Sequence, residues 1–317
     1  MRLALLTHEP FYPPSGGGSA EANYLVSELT RRGHEVHLFC PDFPDRDAVA
    51  ARFGITVHPF TGWEMGRYTR LRSLKYLAYP GALRRLVRRI ARDISFDAIL
   101  SQHAISAVAA GKLKADLDVP VVMNFLDFLT GFMESWPAWA MPRFVLRRLM
   151  AYELSLPKRH DADAVLTVSD ELARRFAETN YAADRLHPIL YGHDAKLFQP
   201  RTKNRGPGTV AMHGSFDTHH LGPIAIRAIT TIALDRPETH FFFIGRETDT
   251  VKKLAKRVFA AAPLAKFECT GFVPYSEVAE RLGQATVGII PYESSSGTHC
   301  AFVAKLVEYA ALGLPVV

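Results

Sequence analysis

Leu3-Ala4-Leu5-Leu6, followed by Gly16-Gly17-Gly18 and then by Val36-His37-Leu38-Phe39-Cys40, decides the fold of this chain. The first run is short, continuous and apolar, as in a strand buried on both faces. Between the two runs, Ala22, Leu25, Val26 and Leu29 recur at helical spacing, and Gly33 supplies the stop. Strand, glycine-bearing loop, helix and strand form a βαβ unit, and the pattern repeats outward. Further strands are expected at Ala98-Ile99-Leu100, Val119 to Met123 and Ala164 to Val168. Continuous apolar strands alternating with helices indicate a parallel sheet covered on both faces.

Apolar periodicity stops at Pro200 to Gly208, which is rich in proline, glycine and charge. A second alternating series follows, with strands at Thr209 to Met212, His240 to Ile244, Lys266 to Cys269 and Val287 to Ile290. Its helices are expected near Pro223 to Leu234, Thr250 to Ala261, Ser276 to Leu282 and Lys305 to Leu312. The fold class is therefore α/β: two Rossmann-like doubly wound domains, 1–199 and 209–317, joined by a linker at 200–208 and facing across a cleft. The chain stops at Val317, one strand into a new βα unit, so the C-terminal domain is expected to be incomplete.

At 317 residues, with 48% apolar and 22% charged residues, the chain has the composition of a globular protein with ample core. Cys40, Cys269 and Cys300 are odd in number and lack the spacing of a zinc or disulfide framework, which points to a reducing compartment. Leu3 to Leu6 is too short for a signal peptide, and no apolar run reaches the roughly 18 residues of a membrane span. The expectation is a cytoplasmic protein, soluble or peripheral at the inner face of a membrane. A formal net charge of +6 suits anionic partners.

Lys305-Leu306-Val307-Glu308-Tyr309-Ala310-Ala311-Leu312-Gly313-Leu314-Pro315-Val316-Val317 carries the sharpest functional signal. Lys305 and Glu308 lie three apart and share a helix face; Gly313 and Pro315 end the helix. A cation and a carboxylate at the mouth of a parallel sheet suit a sugar nucleotide, the cation meeting phosphate and the carboxylate accepting hydroxyl hydrogen bonds. The competing explanation is an ordinary ion pair on a solvated helix face.

Other candidates follow strand ends, where ligands bind in open parallel sheets. Gly16, Gly17 and Gly18 precede a helix N-terminus and let an anion or sugar come close, against a plain tight turn or a dinucleotide loop with Asp42 as its ribose acid. His103 and Asp127 lie just past strands and are the candidate catalytic groups. Arg246 follows a strand and Gly245, and Thr298-His299-Cys300 lies in the loop before the last helix with amides suited to a diphosphate. Cys300 lacks an identifiable partner base for nucleophilic work. Asp45 with Asp47, Asp116 with Asp118 and Asp161 with Asp163 have metal-like spacing but fit loop and strand-start acids. The region 67–92, with Arg67, Arg70, Arg72, Lys75, Arg84, Arg85, Arg88, Arg89 and Arg92, and the region 136–149, with Trp136, Trp139 and Phe144, suit an anionic membrane surface or a solvated face. Nucleic acid is not expected, because no recognised reader motif accompanies the charge.

Several motifs, in order, resemble those of a GT-B glycosyltransferase of the family-four, group 1 type. Pro13 to Gly18 with Arg32-Gly33-His34-Glu35-Val36 resembles the opening loop and second strand, and Ala162 to Ser169 the last strand of the first domain. Tyr191-Gly192-His193-Asp194 with Phe198 resembles the segment before the linker. Met212 to Phe216, Phe243 to Arg246, Thr270 to Pro274 and Gly288 to Pro291 follow in family order, and Lys305 to Val317 closes it. The resemblance implies a donor site at Gly214, Ser215, Arg246, Phe272, Val273, Thr298, His299, Cys300, Lys305 and Glu308. It implies an acceptor side at Gly16 to Gly18, His103 and Asp127, and no metal or cofactor beyond the donor substrate. Three departures stand out: Cys300 replaces a first donor-site glutamate, Ser215 replaces an arginine with His220 or Leu221 in place of a lysine several residues on, and Leu126-Asp127 replaces a His-acid pair.

The expected activity is sugar transfer from a nucleoside-diphosphate sugar to an acceptor hydroxyl, with retention, for a lipid-linked or surface-polysaccharide acceptor. The rivals are a sugar-nucleotide epimerase, a catalytically silent sugar-nucleotide-binding subunit and, more distantly, an oxidoreductase.

Overall fold

The computed structural model describes residues 1–14, 17–62, 74–136, 138–139, 141–200 and 208–317. Gly16, Arg67, Arg70, Arg72 and linker residues 201–207 lie outside the described residues. The chain divides into two compact units: Met1–Gly131 with Ala138–Leu190, and Phe132–Pro137 with Tyr191–Val317.

The first unit contains β1 (Arg2–Leu6), α1 (Gly17–Arg31), β2 (Glu35–Pro41), α2 (Arg46–Phe53), β3 (Thr56–Phe60), α3 (Leu74–Ile90), β4 (Ala98–Gln102) and α4 (His103–Leu117). It continues with β5 (Val121–Phe125), α5 (Leu129–Phe132), α6 (Arg143–Arg159), β6 (Ala164–Thr167), α7 (Asp170–Ala177) and β7 (Leu186–Pro188). Its seven strands run parallel in the order β3-β2-β1-β4-β5-β6-β7. The order reverses between β1 and β4, which opens a crevice at their carboxyl ends. Leu5, Phe11, Val26, Val36, Leu38 and Cys40 form one buried cluster of this unit.

The second unit contains β8 (Thr209–His213), α8 (Pro223–Asp235), β9 (His240–Ile244), α9 (Asp249–Ala261), β10 (Lys266–Cys269), α10 (Tyr275–Leu282), β11 (Val287–Gly288), α11 (Ser296–Cys300) and α12 (Ala304–Ala311). Its four strands are parallel in the order β10-β9-β8-β11 and reverse between β8 and β11. Strand alternation sends Val210 and Met212 with Phe241 and Phe243 into one core, and Ala211 with Phe242 and Ile244 into the other. Both faces are covered, as the apolar runs require.

Three acids of metal-like spacing have structural partners. Asp116 accepts two hydrogen bonds from Arg84 at 2.6 and 2.7 Å. Asp163 accepts from the Val121 amide at 2.7 Å and lies 2.9 Å from Lys114 Nζ. Asp161 pairs with Arg185 at 2.9 Å.

Candidate functional site

In the second unit, three parallel strands deliver candidate residues to one sheet edge. Gly214 follows β8, Arg246 follows β9 by one glycine, and Phe272 and Val273 follow β10. Gly214 adopts φ +101°, and a Cβ there would lie 3.1 Å from Lys305 Cε. The lysine therefore lies against bare backbone at the β8–β11 reversal. Its Nζ donates to Tyr292 Oη at 2.8 Å. Arg246, exposed, stacks over the Phe272 ring at 5.2 Å. Ser215 is half-buried, and Val273 packs on the core beneath this edge.

The inward stripe of α12 is Lys305, Glu308, Tyr309 and Leu312, at i, i+3, i+4 and i+7; Leu306 and Ala310 are exposed. Glu308 is thus not enclosed by its sequence neighbours, and it makes no surface ion pair with Lys305: only 3% of the glutamate is exposed, and Lys305 Nζ donates to Tyr292. The environment comes from elsewhere. Because His213 shares a strand face with Ala211, its ring reaches α12, where Nε2 lies 2.6 Å from Glu308 Oε2. Tyr275, the first residue of α10, donates its hydroxyl to Glu308 Oε1 at 2.6 Å. His213 Nδ1 lies 3.2 Å from Tyr309 Oη, which also accepts the His213 amide. Burial pushes the Glu308 carboxyl up, but His213, the Tyr275 hydroxyl and Lys305 outweigh it, so the net shift is downward and the group stays ionised.

Thr298, His299 and Cys300 depart from expectation, since they form part of a short helix rather than an open loop. Ser295 and Thr298 make a reciprocal capping box, and the Thr298 amide is held by Ser295 Oγ at 3.1 Å. The Ser296 amide donates to Glu134 at 2.5 Å, and the His299 amide to Ser295 O at 3.0 Å. The Thr298 and His299 amides are thus paired inside the fold, where the sequence predicts an open loop facing a diphosphate. Cys300 is fully buried, and His299 contacts Ser294 Oγ at 3.2 Å.

In the first unit, His103 and Gly18 meet at the β1–β4 reversal. His103 opens α4 in a left-handed conformation, φ 65°, and is 3% exposed. A Cβ on Gly18 would fall 2.5 Å from His103 Nε2 and 2.9 Å from Glu9 Oε2, so glycine permits that approach. Gly17, exposed, begins α1. Gln102 Nε2 donates to Gly18 O at 2.8 Å and to Glu21 at 2.6 Å, and Asn124 donates to Glu21 at 3.0 Å. Burial raises the Glu21 carboxyl, with both amides pulling against it.

Asp127, half-buried, lies two residues past β5. The segment after it is held by Glu153 of α6, which accepts from the Leu129 amide at 3.0 Å, the Thr130 amide at 2.8 Å and Thr130 Oγ1 at 2.6 Å. Burial pushes the Glu153 carboxyl up to about 7 against those three bonds.

The basic residues of α3 border a buried apolar face. Leu83, Leu86 and Val87 are buried, so its apolar border faces the core, and Arg84 is tied to Asp116. Exposed apolar side chains include Leu77 on α3, 80% exposed, Trp139, 70% exposed, and Phe144 on α6, 59% exposed, with Arg143, Arg147 and Arg148 also exposed. Trp136 groups with the second unit.

Tyr275 and Tyr292 carry no functional signal in the sequence, and His213 enters it only within the Met212 to Phe216 motif. His213 could have been found from strand alternation, as a polar residue at an inward position of a buried strand end. The tyrosines become site residues only through tertiary packing.

The fold aligns with sucrose-phosphate synthase from Thermosynechococcus elongatus over 99% of this chain and 80% of that one, with TM-score 0.75 and 15% identity. Anabaena HepE in complex with UDP and glucose aligns over 100% and 80%, with TM-score 0.68 and 17% identity. WaaG, a glycosyltransferase involved in lipopolysaccharide biosynthesis, aligns over 99% and 80%, with TM-score 0.65 and 14% identity. No curated protein sequence matches the chain. The two parallel sheets and their order are those of the GT-B fold. Residues 208–317 match Glycosyl transferases group 1, and residues 16–192, more than half of the chain, match the Glycosyl transferase 4-like domain, so the chain belongs to the glycosyltransferase family of that domain.

Proposed function

We propose that the protein moves a sugar from a nucleoside-diphosphate sugar to an acceptor hydroxyl, with retention, in the synthesis of a cell-surface polysaccharide or glycolipid. The observation that carries this reading is the inward stripe of α12. It sets an ionised, buried Glu308 beside Lys305, which lies against Gly214 at a sheet reversal. A carboxylate has about four lone-pair positions; Tyr275 takes one on Oε1, and His213 Nε2 lies 2.6 Å from Oε2. The remainder suits ribose hydroxyls, while Lys305 and Arg246 suit the diphosphate. In a retaining transfer the leaving diphosphate helps take the acceptor proton, so the chain's task is to position the groups and to stabilise developing phosphate charge. His103 and Asp127 are assigned to the acceptor side.

The test is a nucleotide-sugar panel read by thermal shift and by nucleoside diphosphate release with and without acceptor. HepE is known with UDP-glucose bound, so uridine donors come first. Acceptor-dependent release supports transfer. Interconversion of the sugar supports an epimerase, and binding without turnover supports a silent subunit; either would overturn the proposal.

A second reading concerns placement. No helix among the described residues is long and apolar enough to cross a membrane. Trp139 and Phe144, exposed beside Arg143, Arg147 and Arg148, favour peripheral association with an anionic surface, the aromatics at headgroup depth and the arginines on lipid phosphate.

A further inference from the structure

The loop between β8 and α8 carries a cluster that the donor site does not use. Asp217, His219 and His220 each offer a ligand atom, and these atoms all lie within 4.8 Å of one another. The loop is held in shape by its own backbone. The amides of His220 and Leu221 both donate to Asp217 O, at 3.0 and 2.9 Å, which closes a turn around the acid. The Glu293 amide donates to His219 O at 2.9 Å. Aromatic rings flank the imidazoles: Phe132 lies 5.3 Å from His219, and Tyr292 lies 4.6 Å from His220. The two imidazoles are 3.8 Å apart, and Asp217 Oδ2 is 3.9 Å from His220 Nδ1.

We propose that Asp217, His219 and His220 form a binding site for one divalent transition-metal ion of the zinc class. Two imidazoles and one carboxylate are the ligand types such ions take, whereas calcium and magnesium prefer all-oxygen sets. With ligand bonds of about 2.0–2.1 Å, ligand atoms around a tetrahedral ion stand roughly 3.3 Å apart. The three ligand atoms, within 4.8 Å of one another, already stand near that spacing, and all three residues project from one four-residue turn. Three protein ligands leave a fourth position open for water or an anionic oxygen. Tyr292 touches both His220 and Lys305, so a bound ion would add positive charge next to the lysine. The inference does not depend on the donor reading, since the three ligands are independent of Glu308.

The test uses the full chain stripped of metal with a chelator. Zn2+ is titrated by calorimetry, and Co2+ is followed by its visible absorption. One ion should bind per chain, with the intense bands of four-coordinate cobalt. His219→Ala and His220→Ala should each weaken binding at least tenfold, while His187→Ala, an exposed histidine elsewhere, should leave it unchanged. Binding should strengthen from pH 5.5 to 7.5, because both imidazoles must be neutral to ligate. In the unmodified chain, Zn2+ should protect His219 and His220 from imidazole acylation mapped by mass spectrometry; this keeps the test valid if a variant misfolds. The proposal is overturned if the stripped chain takes up no ion, if the two alanine variants bind as well as the parent, or if His187→Ala loses binding equally. Binding that strengthens at low pH instead would identify an anion site and also overturn it.

Discussion

His213 Nε2 and Glu308 Oε2 approach to 2.6 Å, joining the end of a buried strand to the inward face of α12. The contact makes a histidine, not a neighbouring residue of the helix, the partner of the key carboxylate. It also separates two roles for Glu308, ligand and internal brace, which make different predictions.

Glu308→Gln should weaken nucleoside diphosphate and its sugar by about 1.5–3 kcal/mol, the range for a hydrogen bond to a charged group. Calorimetry on a variant shown to be folded checks this. Unchanged donor affinity with lowered stability would assign the glutamate to bracing His213 and Tyr275 alone.

Lys305→Ala should weaken a nucleoside diphosphate more than the free nucleoside, since the lysine is assigned to phosphate. Equal losses for both ligands would show that it only supports Tyr292 and the Gly214 backbone.

Gly18→Ala places a methyl where His103 and Glu9 now lie. The Glu9 carboxylate can swing aside but the His103 ring is buried, so stability should fall by about 1–3 kcal/mol. Turnover should fall further, by about tenfold to a hundredfold, because His103 is displaced. Denaturant melts alongside acceptor kinetics separate the two effects, and full turnover in the variant would remove His103 from the acceptor side.

Glu153 supplies a pH dependence with a definite sign. Its folded carboxyl titrates at about 7, raised by burial, against the ordinary 4.5. The unfolded chain therefore loses this proton first as pH rises. The favourable contribution is complete below 4.5 and lost on the way to 7, an effect of order 3 kcal/mol. His58, lowered to about 4 by burial, runs the opposite way and gains stability from pH 4 to 6.5. Comparing Glu153→Gln with the parent isolates the glutamate: relative to the parent, the variant should gain stability between pH 5 and 7.5. A pH-independent difference would refute the assignment.

If α6 lies on an anionic membrane, replacing Phe144, Arg147 and Arg148 together with Ser should release the protein from anionic vesicles. Each arginine near such a surface contributes about 1 kcal/mol, and added salt should weaken binding in parallel. Parent protein that ignores vesicles, or binds them regardless of salt and substitution, would leave this face to solvent or to another protein.

The parallel strands were legible because a strand covered on both faces must be apolar throughout. His240–Ile244 and Lys266–Cys269 fall where the sequence places them. Strand β3, Thr56–Phe60, escaped because its alternation of Thr, Val, His, Pro and Phe at a sheet edge carries little apolar signal. Periodicity located Lys305 and Glu308 on one helix face but not which side that face takes, because Leu306 and Val307 suggest a core on the wrong side. The segment around Thr298 carries no helical signal in the sequence, because Ser295 and Thr298 cap a helix too short to show a period.

The second unit is discontinuous along the chain, and the bond from the Ser296 amide to Glu134 joins its two pieces. Residues 132–137 leave the ribosome long before the remainder of their unit, and must wait for it. A fragment begun at Tyr191 would lack that carboxylate and expose the amide it satisfies. Autonomy of this unit is therefore a property of spatial neighbours, and dissecting the protein at its sequence linker would cut through the structure it was meant to isolate.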